Sequence, residues 1–507
     1  MEYHSTVILS VLVALLLYIL IKAWPSRRRR LPPGPAPWPI VGNLPHLGAV
    51  PHHSIASLAK KYGPLIYLRL GFIEVVVIAS ASVAAQFFKT HDLNFSSRPP
   101  NSGAKHLAYN YQDLVFAPYG PRWRLLRKIS QVHLFSVKAL EDFRHIREAE
   151  VGVLVKKILH AGKSAVKLAQ PLNVCTANAL GRVMVGRRVL NDDTNDPKAD
   201  EFKNMIVEMM VLAGVFNVGD FIPALEFLDL QGVAAKMKKL HKRLDAFLSD
   251  VVQNHDLAGK EKHNDLLTTL ISLRDNPAED GESITDQEIK ALLLNMFSAG
   301  TDTSSSTVEW GLAELLRHPK VMNGVQREIE SVVGRERLVS DGDLNNLPYF
   351  QAVVKEIFRL HPSTPLSLPR IAESSCEING YLIPKGTTVL TNVWAIAKDP
   401  ELWTDPLDFK PERFMPGGVN CNVDLRGNNF ELIPFGAGRR ICAGMSLGIR
   451  MVQLMLATIV HAFDFDLADG LSPDNLNMDE AYGLTLQRAQ PLVVNGEPRL
   501  LPIAYEV

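Results

Sequence analysis

The stretch TDQEIKALLLNMFSAGTDTSSSTVEWGLAELLRHP, residues 285–319, constrains the fold of this chain more than any other. It opens with a capping box, Thr285 with Glu288 three residues on, and then runs apolar on nearly every face to Phe297. A helix with no polar face cannot lie on a surface, so it must run through the interior with the rest of the chain packed around it. In its middle stand Ala299, Gly300, Thr301, Asp302 and Thr303, poor helix formers whose hydroxyls can bond back to the backbone. The expectation there is a locally opened helix rather than a loop, because strongly helical sequence lies on both sides.

Helical periodicity also marks residues 136–162, 199–216, 232–255, 319–333, 348–360 and 445–463. Two β signals interrupt it, LIYLRLGFIEVVVIAS at 65–80, which reads as a hairpin about Gly71, and CEINGYLIPKGTTVLTNV at 376–393. Residues 191–200 and 257–283 read as polar surface loops. The fold class is therefore mainly α with a small β part. With no repeat, no low-complexity tract and no second linker, one large domain is the simpler assignment.

The N-terminus differs. Fifteen uncharged residues, VILSVLVALLLYILI at 7–21, extend past Lys22 through Ala23 and Trp24 to about the length a bilayer needs. A secretory signal peptide is the alternative, but the arginines at 27–30 follow the apolar run instead of preceding it. A single span with those arginines, and the body, on the cytosolic side is expected. LPPGPAPWPIVGNLP, residues 31–45, carries six prolines and cannot be helix or sheet interior. It reads as a stiff connector, or equally a floppy spacer, with Trp38, Ile40, Val41 and Leu44 as residues that dock on the body. The expected organisation is a membrane anchor over 1–24, a basic and proline-rich hinge over 25–45 and a catalytic domain over 46–507.

Basic and acidic residues balance at 54 each, so no net field recruits nucleic acid. Four scattered cysteines give neither a disulfide framework nor a zinc site. One of them, Cys442, stands in PFGAGRRICAG ahead of an apolar helical run. Gly436, Gly438 and Gly444 let the backbone turn tightly and approach a flat ring. Arg440 can reach a carboxylate at that ring's edge, Phe435 can cover the sulfur, and a helix N-terminus favours a thiolate. The combination points to haem held by one cysteine.

The pattern F-x-x-G-x-R-x-C-x-G is satisfied throughout, and the loop resembles the haem-binding signature of the cytochrome P-450 superfamily, the haem-thiolate monooxygenases. Further parts resemble that family in order along the chain. Glu356 and Arg359, three apart in YFQAVVKEIFRLHP, with Arg413 of PERF, look like its structural E-x-x-R and P-E-R-F elements. A-G-x-D-T at 299–303 is similar to its oxygen-binding groove, which implies catalytic roles for Asp302, in relaying protons, and Thr303, in a hydrogen bond to oxygen. Small Ala299 and Gly300 would leave room there. Trp123 and Arg127 of WRLLR, Arg370 and Arg440 are the implied partners of the haem propionates.

The resemblance implies haem b with Cys442 as iron ligand, O2 as co-substrate, and electrons from NADPH through a separate NADPH-cytochrome reductase, since no nucleotide-binding loop is present. Arg124 and Lys128 are candidate reductase contacts, or an ordinary solvated basic face. It also implies a single-pass protein of the endoplasmic reticulum membrane. Within the superfamily, residues 94–130, 215–233, 361–370 and 426–444 look like the plant flavonoid hydroxylases of flavonoid and anthocyanin biosynthesis, and most like the group that hydroxylates the B-ring of flavanones, dihydroflavonols, flavones and flavonols at the 3' position. Thr485 leans to that group over the 3',5' group, a bulkier side chain hindering presentation of a second ring position. Val419, Asn420, Leu425 and Ile78 depart from its usual pattern. Phe116, Leu366, Leu368, Ala299, Gly300 and Thr485 are the implied substrate contacts. Two other classes, a haem-thiolate isomerase or dehydratase and a haem sensor without turnover, are disfavoured by Asp302 with Thr303 and by the interior groove.

Overall fold

The computed structural model describes residues 30–190, 197–257, 265–276 and 283–506. The expected membrane span and the arginines at 27–29 lie outside the described residues. Six helices and six strands place the site. They are α1 (Pro51–Tyr62), β1 (Leu65–Leu70), β2 (Ile73–Ile78), α2 (Pro121–His133), α3 (Ala169–Val185), α4 (Asp286–Arg317), α5 (Pro348–Leu360), β3 (Arg370–Ile371), β4 (Thr388–Thr391), α6 (Met445–Ala462), β5 (Glu480–Ala481) and β6 (Gln487–Arg488).

Helix α4 is the central beam. Its capping box is complete: the Glu288 N–H donates to Thr285 Oγ1 at 3.2 Å and the Thr285 N–H donates to Glu288 Oε2 at 2.9 Å. At 32 residues it spans about 48 Å. Isoleucine, leucine, methionine and phenylalanine from Ile289 to Phe297 are buried, and so is every residue from Ser304 to Leu316. The opening expected at 299–303 does not occur, and α4 is helical throughout. The hydroxyls do bond back, Thr303 to Ala299 O at 2.7 Å and Thr307 to Thr303 O at 2.8 Å. They share carbonyls that keep their helical partners, so the ladder survives.

Helices α3, α5 and α6 pack along α4, and α6, long and apolar enough to span a bilayer, is instead mostly buried core. Gly311 permits this close approach, since a Cβ there would stand 2.8 Å from Ile357 Cδ1. The β part is a four-stranded sheet ordered β1-β2-β4-β3. The hairpin pairs Leu65 with Ile78 and turns at Gly71, φ +61°. The segment 376–393 divides: Cys376–Ile378 pairs with Tyr381–Ile383, while β4 crosses over to run parallel to β2.

Three other expectations change. Residues 136–162 form two helices, Val137–Asp142 and Arg144–Ala161; Arg147 Nη1 donates to Leu140 O at 2.8 Å, serving a carbonyl that the break at Phe143 releases. The region 257–283 contains a helix, Leu266–Asp275, capped by Asp265 and buried through Leu266, Leu267, Leu270 and Ile271. The 191–200 region already enters a helix at Pro197. In the proline-rich stretch, Pro33 O accepts the Tyr67 N–H at 2.9 Å and Leu44 packs against the β1 and β2 side of the sheet. Trp38, Ile40 and Val41 do not dock; they are exposed.

Candidate active site

The loop ahead of α6 is held by an acidic residue made some 350 positions earlier. Gly438, φ +68°, passes so near Asp92 that a Cβ would stand 2.2 Å from its Oδ1. Asp92 then accepts the Arg439 N–H at 3.1 Å and the Arg439 guanidinium at 2.7 Å. The loop closes on itself where the Cys442 N–H donates to Phe435 O at 3.0 Å. Gly438 thus gives its close approach to a carboxylate. Gly436, φ +71°, and Gly444 border the cavity, and nothing stands within 4 Å of where a Gly436 Cβ would be.

The Cys442 sulfur opens onto a cavity of about 290 Å³. Burial pushes its thiol up, while the Gly444 N–H aimed at the sulfur and the nearby Arg127 guanidinium favour the thiolate. Phe435 lines the same wall and packs on Phe358, ring centres 5.1 Å apart. The opposite wall is α4, through Ala299, Gly300 and Thr303. Gly300 is also small for packing, because a Cβ would meet Leu180 Cδ1 at 2.7 Å. Asp302, one residue before Thr303, does not line the cavity; its Oδ2 accepts hydrogen bonds from Thr485 Oγ1 and from Gln487 Nε2, the latter at 2.8 Å.

One rim of the cavity is a ring of cations. Trp123 donates its indole N–H to Leu114 O at 3.0 Å and Arg127 Nη1 donates to Ile441 O at 2.9 Å. Arg370 Nη2 donates to Ala437 O at 2.6 Å, and Arg440 donates to Ser96 O and Ala117 O while its guanidinium lies over the Trp123 ring at 4.4 Å. Yet Arg370 Nη1 and Arg440 Nη1 are buried without a hydrogen-bond partner among the described residues. Burial pushes both guanidinium groups down to about 10, and for Arg440 the repulsion of Arg370 adds to it. Arg98, bonded to Leu368 O and Pro369 O at 2.8 Å, is held well below its ordinary value by burial and by Arg370 and Arg440.

The remaining sequence candidates divide. Leu368 lines the cavity; Leu366 packs against Ile66 and Leu68 in the core beneath the sheet. Phe116 and Thr485 are not among the lining residues. The Phe116 N–H donates to Asp113 Oδ1 at 2.8 Å, which fixes the loop rather than presenting the ring to the cavity. Glu356 and Arg359 are fully buried and pair in fork geometry at 2.7 and 2.8 Å, with Arg413 Nε on Glu356 Oε1 at 3.1 Å. Carbonyls of Ala397, Pro406 and Thr404 take further guanidinium hydrogens at 2.7 to 2.9 Å.

Sequence reasoning gave no individual role to Asp92, Arg98, Asp113 or Asn295. Asn295 Oδ1 accepts the Leu114 N–H at 2.9 Å and its Nδ2 donates to Asp113 Oδ2 at 2.9 Å, so α4 itself orders the loop that lines the cavity. A lone asparagine inside the apolar run ALLLNMF was a signal that could have found it. Asp92 and Arg98 carried none in their own neighbourhoods.

A family model for cytochrome P450 matches residues 32–493. The chain belongs to the cytochrome P450 family. Among curated P450 relatives it is 65% identical over 510 residues to a flavonoid 3'-monooxygenase of Petunia hybrida, covering 100% of both chains. It is 62% identical over 508 residues to a flavonoid 3'-monooxygenase of Arabidopsis thaliana, covering 99% of each. A flavonoid 3',5'-hydroxylase of Solanum melongena is 47% identical, with 98% of this chain and 97% of that one covered.

Proposed function

We propose that the protein is a haem-thiolate monooxygenase that hydroxylates the flavonoid B-ring at the 3' position. The single observation that carries the regiochemical reading is identity of 59 to 65% with four flavonoid 3'-monooxygenases over nearly the whole chain, against 47 to 52% for three 3',5'-hydroxylases, although a fifth 3'-monooxygenase stands at 52%. The residues present fit a haem. Two buried guanidinium nitrogens without hydrogen-bond partners among the described residues suit two ring carboxylates, and Gly436 leaves the cavity wall flat beside a sulfur that a backbone N–H already faces.

Cys442 would be the iron ligand, Arg370 and Arg440 the principal carboxylate partners, and Arg98 a third cation at the same edge. When bound, the haem supplies dioxygen activation, one oxygen atom entering the substrate and the other leaving as water. Trp123 and Arg127, whose donors serve Leu114 O and Ile441 O, act by shaping the slot. Leu114, Val115, Met296, Ala299 and Leu368 exclude water around a flat phenolic ring. Thr303 holds a hydroxyl proton at Oγ1 on the cavity wall, and Asp302 stands beside it on the outer side of α4 as the group that exchanges protons with solvent.

Electrons would come from NADPH through a separate reductase docking on the thiolate side, where Arg124 and Lys128 of α2 are candidate contacts. Anchoring in the endoplasmic reticulum membrane by residues 1–24, with residues 25–45 as hinge, draws support from one apolar face. Phe216, Phe227 and Leu230 are exposed, as are Trp38 and Ile40. The two groups are joined through Gly71 N–H to Val41 O at 3.0 Å, Phe72 N–H to Phe221 O at 2.9 Å, and Phe216 stacked on Phe221. Such a patch suits a lipid surface close to the span.

The test is to express the full chain with a plant NADPH-cytochrome reductase in microsomes and supply naringenin, dihydrokaempferol or kaempferol. A product carrying one new hydroxyl at 3', located by mass spectrometry and NMR, is expected. Equal 3',5' dihydroxylation moves the reading to its neighbour group, and no NADPH-dependent product overturns it.

A further inference from the structure

One turn of α4 serves two masters. Ala299 and Thr303, four apart, face the cavity, whereas Asp302 and Ser306, also four apart, face the strand around β6. That strand is fastened to α4 residue by residue. Thr485 Oγ1 and Gln487 Nε2 both donate to Asp302 Oδ2, the second at 2.8 Å, and Ser306 Oγ donates to Leu486 O at 2.8 Å. The Leu486 N–H donates to Ser363 O at 2.8 Å. Asp302 Oδ1 makes no hydrogen bond to the protein among the described residues. Thr485 is 5% exposed and lines no part of the cavity, while Gln487 lies at the surface.

A side chain so placed lies outside the cavity lining. We propose that Thr485 and Gln487 are positioning residues: together they hold the Asp302 carboxylate on the outer side of α4, with Oδ1 left for solvent, and so govern proton supply to the Thr303 side of the cavity. This rests on the monooxygenase reading above. Both donors are neutral and meet the same carboxylate oxygen, so they restrict the direction of the group without placing a positive charge beside it. Residue 485 therefore acts on the reaction through its hydroxyl and not through its bulk.

Thr485→Val keeps the volume and removes the donor; Thr485→Ser keeps the donor and removes a methyl. In reconstituted holoenzyme, Thr485→Val is expected to raise by about tenfold the share of NADPH electron pairs that leave with O2 and two protons as hydrogen peroxide, the size expected when one hydrogen bond to a charged group is lost. Its solvent deuterium isotope effect on hydroxylation should rise as well. Thr485→Ser should stay within about twofold of the parent in both, and the surface variant Gln487→Leu should move in the same direction as Thr485→Val by about threefold.

A second readout needs no turnover. In thermal unfolding of the holoprotein, Thr485→Val and Asp302→Asn should shift the midpoint non-additively, the double variant falling no further than the worse single one. Equal coupling in the Val and Ser variants, or additive shifts, overturns the inference. Failure of the parent protein to form any 3'-hydroxylated product would instead strike the underlying reading, with the unfolding cycle still reporting on the tether.

Discussion

Arg359 and Arg413 lie as deep in the protein as Arg370 and Arg440, but the two pairs meet different fates. Around Glu356 the guanidinium groups are answered by a carboxylate and a shell of carbonyls. Around the cavity rim the Asp92 carboxylate stands 3.6 Å from Arg370 Nη1, too far for a hydrogen bond, and among the described residues neither that nitrogen nor Arg440 Nη1 has a hydrogen-bond partner. Burying a charge costs several kcal/mol unless partners offset it, so a complete cluster and an incomplete one carry different meanings. The first is a finished piece of architecture. The second suits an anionic ligand, as the proposed haem carboxylates would be, and the difference between them rests on this chain's own side chains.

The comparison can be broken most sharply at Glu356. Glu356→Gln keeps the shape but leaves two buried cations facing each other, and a loss of about 3–5 kcal/mol in denaturant unfolding is expected. A loss below about 1 kcal/mol would mean that the cluster is not balanced by that carboxylate. Next comes Arg440→Met. In cofactor-depleted protein it should cost only about 1 kcal/mol, because the bonds lost to Ser96 O and Ala117 O are offset by removal of an unpaired charge. In haem-loaded protein the cost should grow by about 2–3 kcal/mol, visible as faster haem release. Equal costs in the two forms would remove the assigned anion.

The smallest effect concerns Lys398, a partly buried cation of a third kind, whose ammonium donates to Leu360 O and lies 4.4 Å from the Trp394 ring centre. Burial pushes it down to about 7, with Glu480 opposing. Its folded value lies below its unfolded one, so below about pH 7 both states are charged and the burial cost is felt in full. As pH rises from about 7 towards 10.4 the unfolded chain keeps a proton that the folded one has shed, and stability rises. Lys398→Met should flatten that rise, by about 2 kcal/mol in unfolding measured at pH 7 and pH 9.

Much of this was legible in the chain. The extents of α4, α5 and α6 followed from periodicity and capping, since long amphipathic or wholly apolar runs announce themselves. The shared face of Glu356 and Arg359 followed from spacing, while the sulfur loop's signature and Arg413 as third member came with the family resemblance. Helix Leu266–Asp275 did not, because polar flanks hid four buried residues at 266, 267, 270 and 271. Helix α3 went unread where NVCTANALGRVMV is apolar on too many faces to show a period. The place of Asp302 was likewise out of reach: adjacency to Thr303 suggested one shared cavity, whereas a single helical step of about 100° turns it to another neighbour. Pairings such as Asp92 with Arg439 leave no trace in either local sequence.

Those distant pairings bear on how the molecule is made. The backbone around Cys442 is held by Asp92, Ser96, Ala117 and Arg127, contacts that bridge more than 300 positions of sequence. On a ribosome, the early half of the cradle waits on the order of half a minute before its counterpart emerges. Until then its arginines stand in water and nothing can be gripped between the two halves. On the proposed function, loading would therefore be a closing act of synthesis, since both halves of the cradle must be present before it can close.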